Sequence, residues 1–208
     1  MTTYEVELKV RAAHEPVRDA LADRDAERVA HVRQRDTYYD APDRDFAETD
    51  EALRIRREHD LTDQTTTTDT PDADDGPETD SPAGPDSATD ETVRLTYKGP
   101  LVDESSKTRE EAETTVGDGE TADSILRGLG YEPAARVTKR RETFAVGAYH
   151  VTLDTVEGLG EFVEIDREVT ENVERAREEA ARLLRELGLD PADGIRTSYL
   201  GLLLAESD

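Results

Sequence analysis

Cysteine and tryptophan are absent from this chain of 208 residues, and lysine is nearly so, with four residues against 22 arginines. Without cysteine there is no disulfide, no thiolate zinc site, no iron–sulfur cluster and no cysteine nucleophile. Aromatic residues make up 5% of the chain and hydrophobic residues 34%, below the ~45–50% of an average globular domain, which leaves material for one modest core. No apolar run approaches the ~18–20 residues that cross a bilayer, and the opening MTTYEVELKV lacks the pattern of a signal peptide. A cytoplasmic protein with no membrane partner is expected. Positive charge is scarce too: Lys and Arg total 26 against 51 Asp and Glu, a formal net charge of −25. Such a balance argues against nucleic acid as a partner.

The acids are unevenly spread. Residues 60–92 hold 11 of them, no Lys or Arg, four of the nine prolines, and Leu61 as the one large apolar side chain. A stretch of that composition cannot bury enough surface to offset its ordering entropy. The expectation is therefore one domain over 1–208, interrupted by an acidic, disordered insertion at 60–92. The remainder still carries −14, and acid excess with arginine in place of lysine suits a halophilic cytosol. The four lysines, Lys9, Lys98, Lys107 and Lys139, fall in strand-like stretches or on their shoulders, positions that call for a compact point charge.

Periodicity reads as many strands and a few helices. Tyr4, Val6, Leu8 and Val10 alternate with Glu5, Glu7, Lys9 and Arg11. Pro16 opens a short helix bearing Val17, Ala20 and Leu21. A strand over His31–Tyr39 ends in the turn Asp40-Ala41-Pro42-Asp43. Leu53 and Ile55 alternate with Arg54 and Arg56; beyond the insertion Val93, Leu95 and Tyr97 alternate with Arg94, Thr96 and Lys98. Arg109, Glu111 and Glu113 share a parity before a helix near Ala122–Leu129. Strands near Val137–Val146, Tyr149–Val156 and Phe162–Val169 follow, then a helix capped by Asn172 and closed by Gly188, and a short apolar helix over Ser198–Leu204. The fold expected is α+β: a closed antiparallel eight-stranded β-barrel, a tunnel, with helices packed outside.

Helices with apolar stripes need an apolar sheet face to pack on, which turns the charged faces of these strands inward. That face gathers Lys9, Arg54, Arg56, Lys98, Arg109, Lys139 and Arg141 with Glu5, Glu7, Glu111, Asp154, Glu164 and Asp166. As a dry core it would cost several kcal/mol per ion. A wet tunnel costs less, and cations beside clustered carboxylates suit a polyphosphate that arrives with divalent metal.

These residues resemble the CYTH superfamily, the triphosphate tunnel metalloenzymes, in its class IV adenylyl cyclase-like branch. Glu5-Val6-Glu7-Leu8-Lys9 is similar to the family's ExExK signature. After it, in family order, come Gln34-Arg35-Asp36-Thr37-Tyr38-Tyr39-Asp40, Asp45-Phe46, Leu53-Arg54-Ile55-Arg56, Thr96-Tyr97-Lys98-Gly99-Pro100, Lys107-Thr108-Arg109-Glu110-Glu111, Lys139-Arg140-Arg141, the run from Leu153-Asp154 through Gly158-Leu159-Gly160 to Glu164-Ile165-Asp166, and Ser198-Tyr199. One departure is Asp166, where the family usually has glutamate. The resemblance implies that Glu5, Glu7 and Glu164 hold a catalytic Mg²⁺ or Mn²⁺, supported by Asp154 and Asp166. It implies that Lys9, Arg54, Arg56, Lys98, Arg109, Lys139 and Arg141 grip phosphate oxygens, with Glu111 orienting Arg109. Glu5, Glu7, Lys9 and Glu164 are then the catalytic set.

The substrate implied is a triphosphate: ATP, converted to cyclic AMP and pyrophosphate, or tripolyphosphate or thiamine triphosphate, hydrolysed by a triphosphatase. A non-catalytic polyphosphate- or nucleotide-binding module is a third reading, disfavoured because a binder needs only the cations. A monomer or homodimer is expected. Other chemistries find no support. His14, His31, His59 and His150 show no metal-ligand spacing, and Gly117-x-Gly119 and Gly158-x-Gly160 are turn glycines without the strand-to-helix setting of a nucleotide loop.

Overall fold

Strict alternation makes each strand two-faced, and most of the helices pack on its apolar side. The computed structural model describes residues 4–49, 51–61, 91–101 and 109–206, without the side chains of Glu5, Ala47, Leu101 and Arg109. Lys107 and residues 62–90 of the insertion lie outside the described residues. In chain order the elements are β1 (Tyr4–Arg11), α1 (His14–Ala22), β2 (Glu27–Asp40), α2 (Phe46–Thr49), β3 (Ala52–Asp60), β4 (Glu91–Leu101), β5 (Arg109–Val116), α3 (Gly119–Gly128), β6 (Glu132–Val146), β7 (Tyr149–Val156), β8 (Gly160–Val169), α4 (Val173–Glu186), a 3₁₀ turn (Pro191–Asp193) and α5 (Tyr199–Glu206). Among them no helix is long and apolar enough to cross a membrane.

The eight strands form one antiparallel sheet in the order β1-β8-β7-β6-β2-β3-β4-β5. The class is α+β, as expected, but among the described residues no ladder joins β1 to β5, so the sheet is not closed by hydrogen bonds. One reason is visible at β1: the Lys9 carbonyl accepts a 2.7 Å bond from Ile195 N–H, so the segment before α5 occupies that edge. β2 and β6 run longer than alternation indicated because the two pair with each other from Glu27↔Ala145 to Asp40↔Glu132, across two register shifts.

Helices α1 and α4 cover one half of the outer face. Val17, Leu21, Ala180, Leu183, Leu184 and Leu187 pack there against Val10, Val151, Leu153, Val163 and Ile165. On the other half, α2 and α3 supply Phe46 and Leu126 against Tyr39, Leu53, Ile55 and Val93. The inner face, turned away from these helices, is covered at one end by α5, where Tyr199 joins Val137, Val156, Leu159 and Phe162 in a third apolar cluster.

Helix starts differ in detail from the sequence pattern. α1 begins at His14, ahead of Pro16. α3 is capped by Asp118, whose side chain accepts from Glu120 N–H and Thr121 N–H, so it starts before the apolar periodicity does. Asn172 precedes α4 in the left-handed region (φ 59°) with no side-chain cap bond; its value there is conformational, since Asn tolerates positive φ. At the β7–β8 turn Gly158 and Gly160 both take positive φ, 81° and 95°, which accounts for glycine at each.

Candidate active site

Two buried carboxylates organise the inner face. Asp154 on β7 is fully buried. Its ladder partner Arg141 binds it with two bonds, Nε at 2.7 Å and a terminal nitrogen at 2.5 Å; Lys139 Nζ lies 3.3 Å away and the Tyr199 hydroxyl donates at 3.0 Å. Burial alone would push this carboxyl up, but Lys139 and Arg141 outweigh it and hold Asp154 well below the usual carboxylate range. Asp36 on β2 repeats the arrangement. Its ladder partner Arg56 donates from Nε at 2.7 Å and from a terminal nitrogen at 2.6 Å, with Arg54 at 3.3 Å. There too burial opposes ionisation and loses to the arginines, Arg56 first.

Around Asp154 the carboxylates continue. Glu164 on β8 accepts from Arg141 at 2.7 Å and stands 3.7 Å from Lys9. Glu7 lies 3.6 Å from the same lysine, and Glu7 and Asp166 are direct cross-strand partners, as are Lys9 and Glu164. Asp166 is raised above its ordinary value, by burial first, and its nearest basic neighbour is His150 at 3.5 Å. Lys139 is driven down to about 8, by burial and then by Arg141. On the far side of the sheet Lys98 pairs with Glu111 at 2.9 Å, so the described partner of Glu111 is Lys98. Arg109 begins β5 two residues earlier, its side chain outside the described residues. On β2, β3 and β4 the same face continues with Gln34, Glu58 and Arg94, Glu58 accepting from Gln34 at 2.6 Å and from Arg94 at 3.2 Å.

The structure thus brings Glu7, Lys9, Lys139, Arg141, Asp154, Glu164 and Asp166 together, with Arg54 and Arg56 on adjoining strands and Lys98 farther round. Glu5 is on β1 opposite Glu168, two residues from Glu7; its side chain is outside the described residues. Asp36 and Tyr199 carry no expected role from periodicity or motif, although they lie in the runs Gln34–Asp40 and Ser198-Tyr199. Paired cations at 54/56 and 139/141 each imply a buried acid on the next strand, the signal that would have found Asp36.

For a metal, the available donors are carboxylate oxygens, the hard ligands that Mg²⁺ and Mn²⁺ prefer. Glu7, Glu164 and Asp166 project on one face of adjacent strands, and half-buried Asp166 has only His150, at 3.5 Å, as a basic partner among the described residues, so the donor set fits such an ion in kind. Among the described residues no three acids or histidines form a ready-made cage, and Glu164 is held by Lys9 and Arg141. Both oxygens of Asp154 are engaged by cations and Tyr199.

A family model for the CYTH domain matches residues 3–199. A Methanocaldococcus jannaschii protein provisionally named as an adenylate cyclase is 34% identical over 171 residues, 81% of this chain and 80% of its own length. A solved Pyrococcus horikoshii OT3 protein is 36% identical with a TM-score of 0.77, covering 98% of this chain and 99% of that one. A Hippeastrum protein provisionally named as an adenylyl cyclase, for which a dominant triphosphatase activity is described, shares the fold at 19% identity and a TM-score of 0.63, over 99% of this chain and 96% of its own. With its signature strands in order and the family model spanning nearly its whole length, the chain belongs to the CYTH domain family.

Proposed function

We propose that this protein is a divalent-metal-dependent enzyme acting on a triphosphate bound against the inner face, and that its reaction is the conversion of ATP to cyclic AMP and pyrophosphate. The observation that carries the proposal is the charge composition of that face. Buried ion pairs rarely stabilise a fold better than apolar packing does, so a face holding Lys9, Arg54, Arg56, Lys98, Lys139 and Arg141 among carboxylates is costly until a polyanion completes it. The strands are proposed to enclose the substrate as a tunnel, with β1 and β5 facing each other across it without a ladder.

In this reading Glu5, Glu7, Glu164 and Asp166 hold Mg²⁺ or Mn²⁺, while Asp154 serves the site by fixing Lys139 and Arg141. When bound, the ion neutralises phosphate charge and polarises the phosphorus–oxygen bond that breaks. Arg54, Arg56 and Arg141 offer planar forks for bidentate contacts to phosphate oxygens, and Lys9, Lys98, Lys139 and Arg109 add positive charge along the chain of phosphates. Cyclisation joins the ribose 3′ oxygen to the α-phosphorus, breaks the bond from that phosphorus to the β-bridging oxygen, and releases the hydroxyl proton. Catalysis of such a transfer rests on positioning and charge neutralisation more than on a side-chain base.

A second reading, triphosphatase, is favoured by the activity described for the Hippeastrum neighbour, and because phosphate-gripping cations serve hydrolysis equally well. The experiment offers ATP and tripolyphosphate separately to purified protein with Mn²⁺ or Mg²⁺ in KCl. Cyclic AMP and pyrophosphate from ATP support the cyclase. Orthophosphate, released fastest from tripolyphosphate and without cyclic AMP, replaces it with the triphosphatase; no product from either overturns both.

A further inference from the structure

The cations around Asp154 are not equally committed. Arg141 is bound tightly, at 2.5–2.7 Å to Asp154 and Glu164. The two lysines are held off: Lys9 stands 3.6 Å from Glu7 and 3.7 Å from Glu164, and Lys139 3.3 Å from Asp154. These separations exceed the ~2.7–2.9 Å of a charge-assisted hydrogen bond, although both lysines are buried, at 4% and 5% exposure. A buried ammonium with weak carboxylate contacts needs another source of stabilisation, and both find it in one ring. Lys9 Nζ is 4.6 Å and Lys139 Nζ 5.1 Å from the centroid of Tyr199, inside the ~6 Å range of a cation–π contact.

Tyr199 is itself firmly placed. Ser198 caps α5, its Oγ accepting from Gly201 N–H at 3.1 Å, which makes Tyr199 the first residue of the helix. Ile195, four residues earlier, donates to the Lys9 carbonyl, locking the approach to β1. Phe162 meets the ring edge-on at 5.0 Å, and the hydroxyl is spent on Asp154 at 3.0 Å. That bond falls on the same Asp154 oxygen that Lys139 approaches at 3.3 Å.

We propose that Tyr199 is a positioning residue for the triphosphate: its ring holds the Lys9 and Lys139 ammonium groups, and its hydroxyl occupies Asp154, so that both lysines face the substrate with donors to spare. The proposal rests on the reading of the inner face as a triphosphate site. It gives the Ser198-Tyr199 pair a physical task, the serine starting the helix and the tyrosine entering the site.

The test is calorimetric titration of tripolyphosphate into the full chain in EDTA, together with KM and kcat in Mn²⁺, for wild type and three variants. Tyr199→Leu removes ring and hydroxyl and is expected to weaken tripolyphosphate binding about 10-fold or more and to raise KM far more than it lowers kcat. Tyr199→Phe keeps the ring, and affinity should return to within about 3-fold of wild type. Leu159→Ala loosens the same apolar cluster at a residue with no part in placing the ring; it should lower the melting temperature yet leave affinity within about 3-fold. Wild-type affinity in Tyr199→Leu overturns the proposal, as does failure of Tyr199→Phe to rescue, or equal loss of affinity in Tyr199→Leu and Leu159→Ala. If wild type itself does not bind tripolyphosphate, the triphosphate site falls first and Tyr199's role with it.

Discussion

Asp154 and Asp36 use the same local device in two halves of one sheet. Each is buried, each takes a bidentate arginine from its ladder partner, and each takes a second cation two residues along that neighbouring strand: Lys139 beside Arg141, Arg54 beside Arg56. The surroundings differ. Asp154 is joined by Glu164 and Asp166 on β8, by Tyr199 and, one strand further, by Glu7 on β1, and one of its cations is a lysine whose amino group burial has brought down to about 8. Asp36 is met by arginines, and the Arg54 Nε is left without a partner in the described contacts. Identical pairing geometry therefore does not imply identical work. On the proposed function, the Asp154 half handles metal and phosphate together, and the Asp36 half only grips phosphate.

The widest separation between the halves should come from Glu164→Ala. Losing a metal-holding carboxylate is expected to cut turnover about 100-fold or more with the fold retained, measured as initial rates in saturating Mn²⁺ alongside circular dichroism. Unchanged turnover would remove Glu164 from the metal set. Arg56→Ala, on the other side, should act through binding: KM for the triphosphate rises about 10-fold while kcat falls less, because one bidentate phosphate contact is lost. An equal drop in kcat would place the Asp36 half in the chemistry as well.

A pH series distinguishes the halves without a large change in structure. Lys139 titrates at about 8 in the folded protein, whereas an unfolded lysine keeps its proton to about 10.4. Between those values the unfolded chain binds more protons, so the Lys139 contribution to stability rises with pH. Phosphate binding, which needs the charged amine, weakens over the same window. The expected result is a KM that climbs several-fold from pH 8 to 9.5, with no matching rise in Lys139→Arg, since arginine stays charged throughout. Parallel profiles would mean that Lys139 does not face the phosphates.

The smallest effect belongs to the acidic insertion. His59 and Glu91 are ladder partners at its two ends, so a Gly/Ser turn replacing Thr62–Asp90 can join β3 to β4 directly. Turnover within about 2-fold of the parent and a melting temperature within a few degrees are expected, and a large fall in either would give the segment a role in the site.

Much of this was legible in the chain itself. Alternation alone assigned the strands and put Arg54, Arg56, Lys139 and Arg141 on the face away from α1–α4, because a period of two admits only two sides. It could not supply distances across strands. That Glu111 meets Lys98, and that Arg141 spans from Asp154 to Glu164, depends on ladder register, which no single strand encodes. Tyr199 was harder still: its motif was visible, but its place between Lys9, Lys139 and Asp154 comes from a helix folding back over the sheet from nearly two hundred residues downstream of β1. The open edge of β1 has the same origin, since Ile195 takes the Lys9 carbonyl that a closing strand would have used.

The division of labour between the halves is tested most directly by electron paramagnetic resonance of Mn²⁺ bound in the presence of tripolyphosphate. Protein-bound Mn²⁺ should be lost in Glu164→Ala and kept in Arg56→Ala once tripolyphosphate is raised to saturation. Mn²⁺ bound as well by Glu164→Ala as by wild type, or lost equally from both variants at saturation, would contradict it.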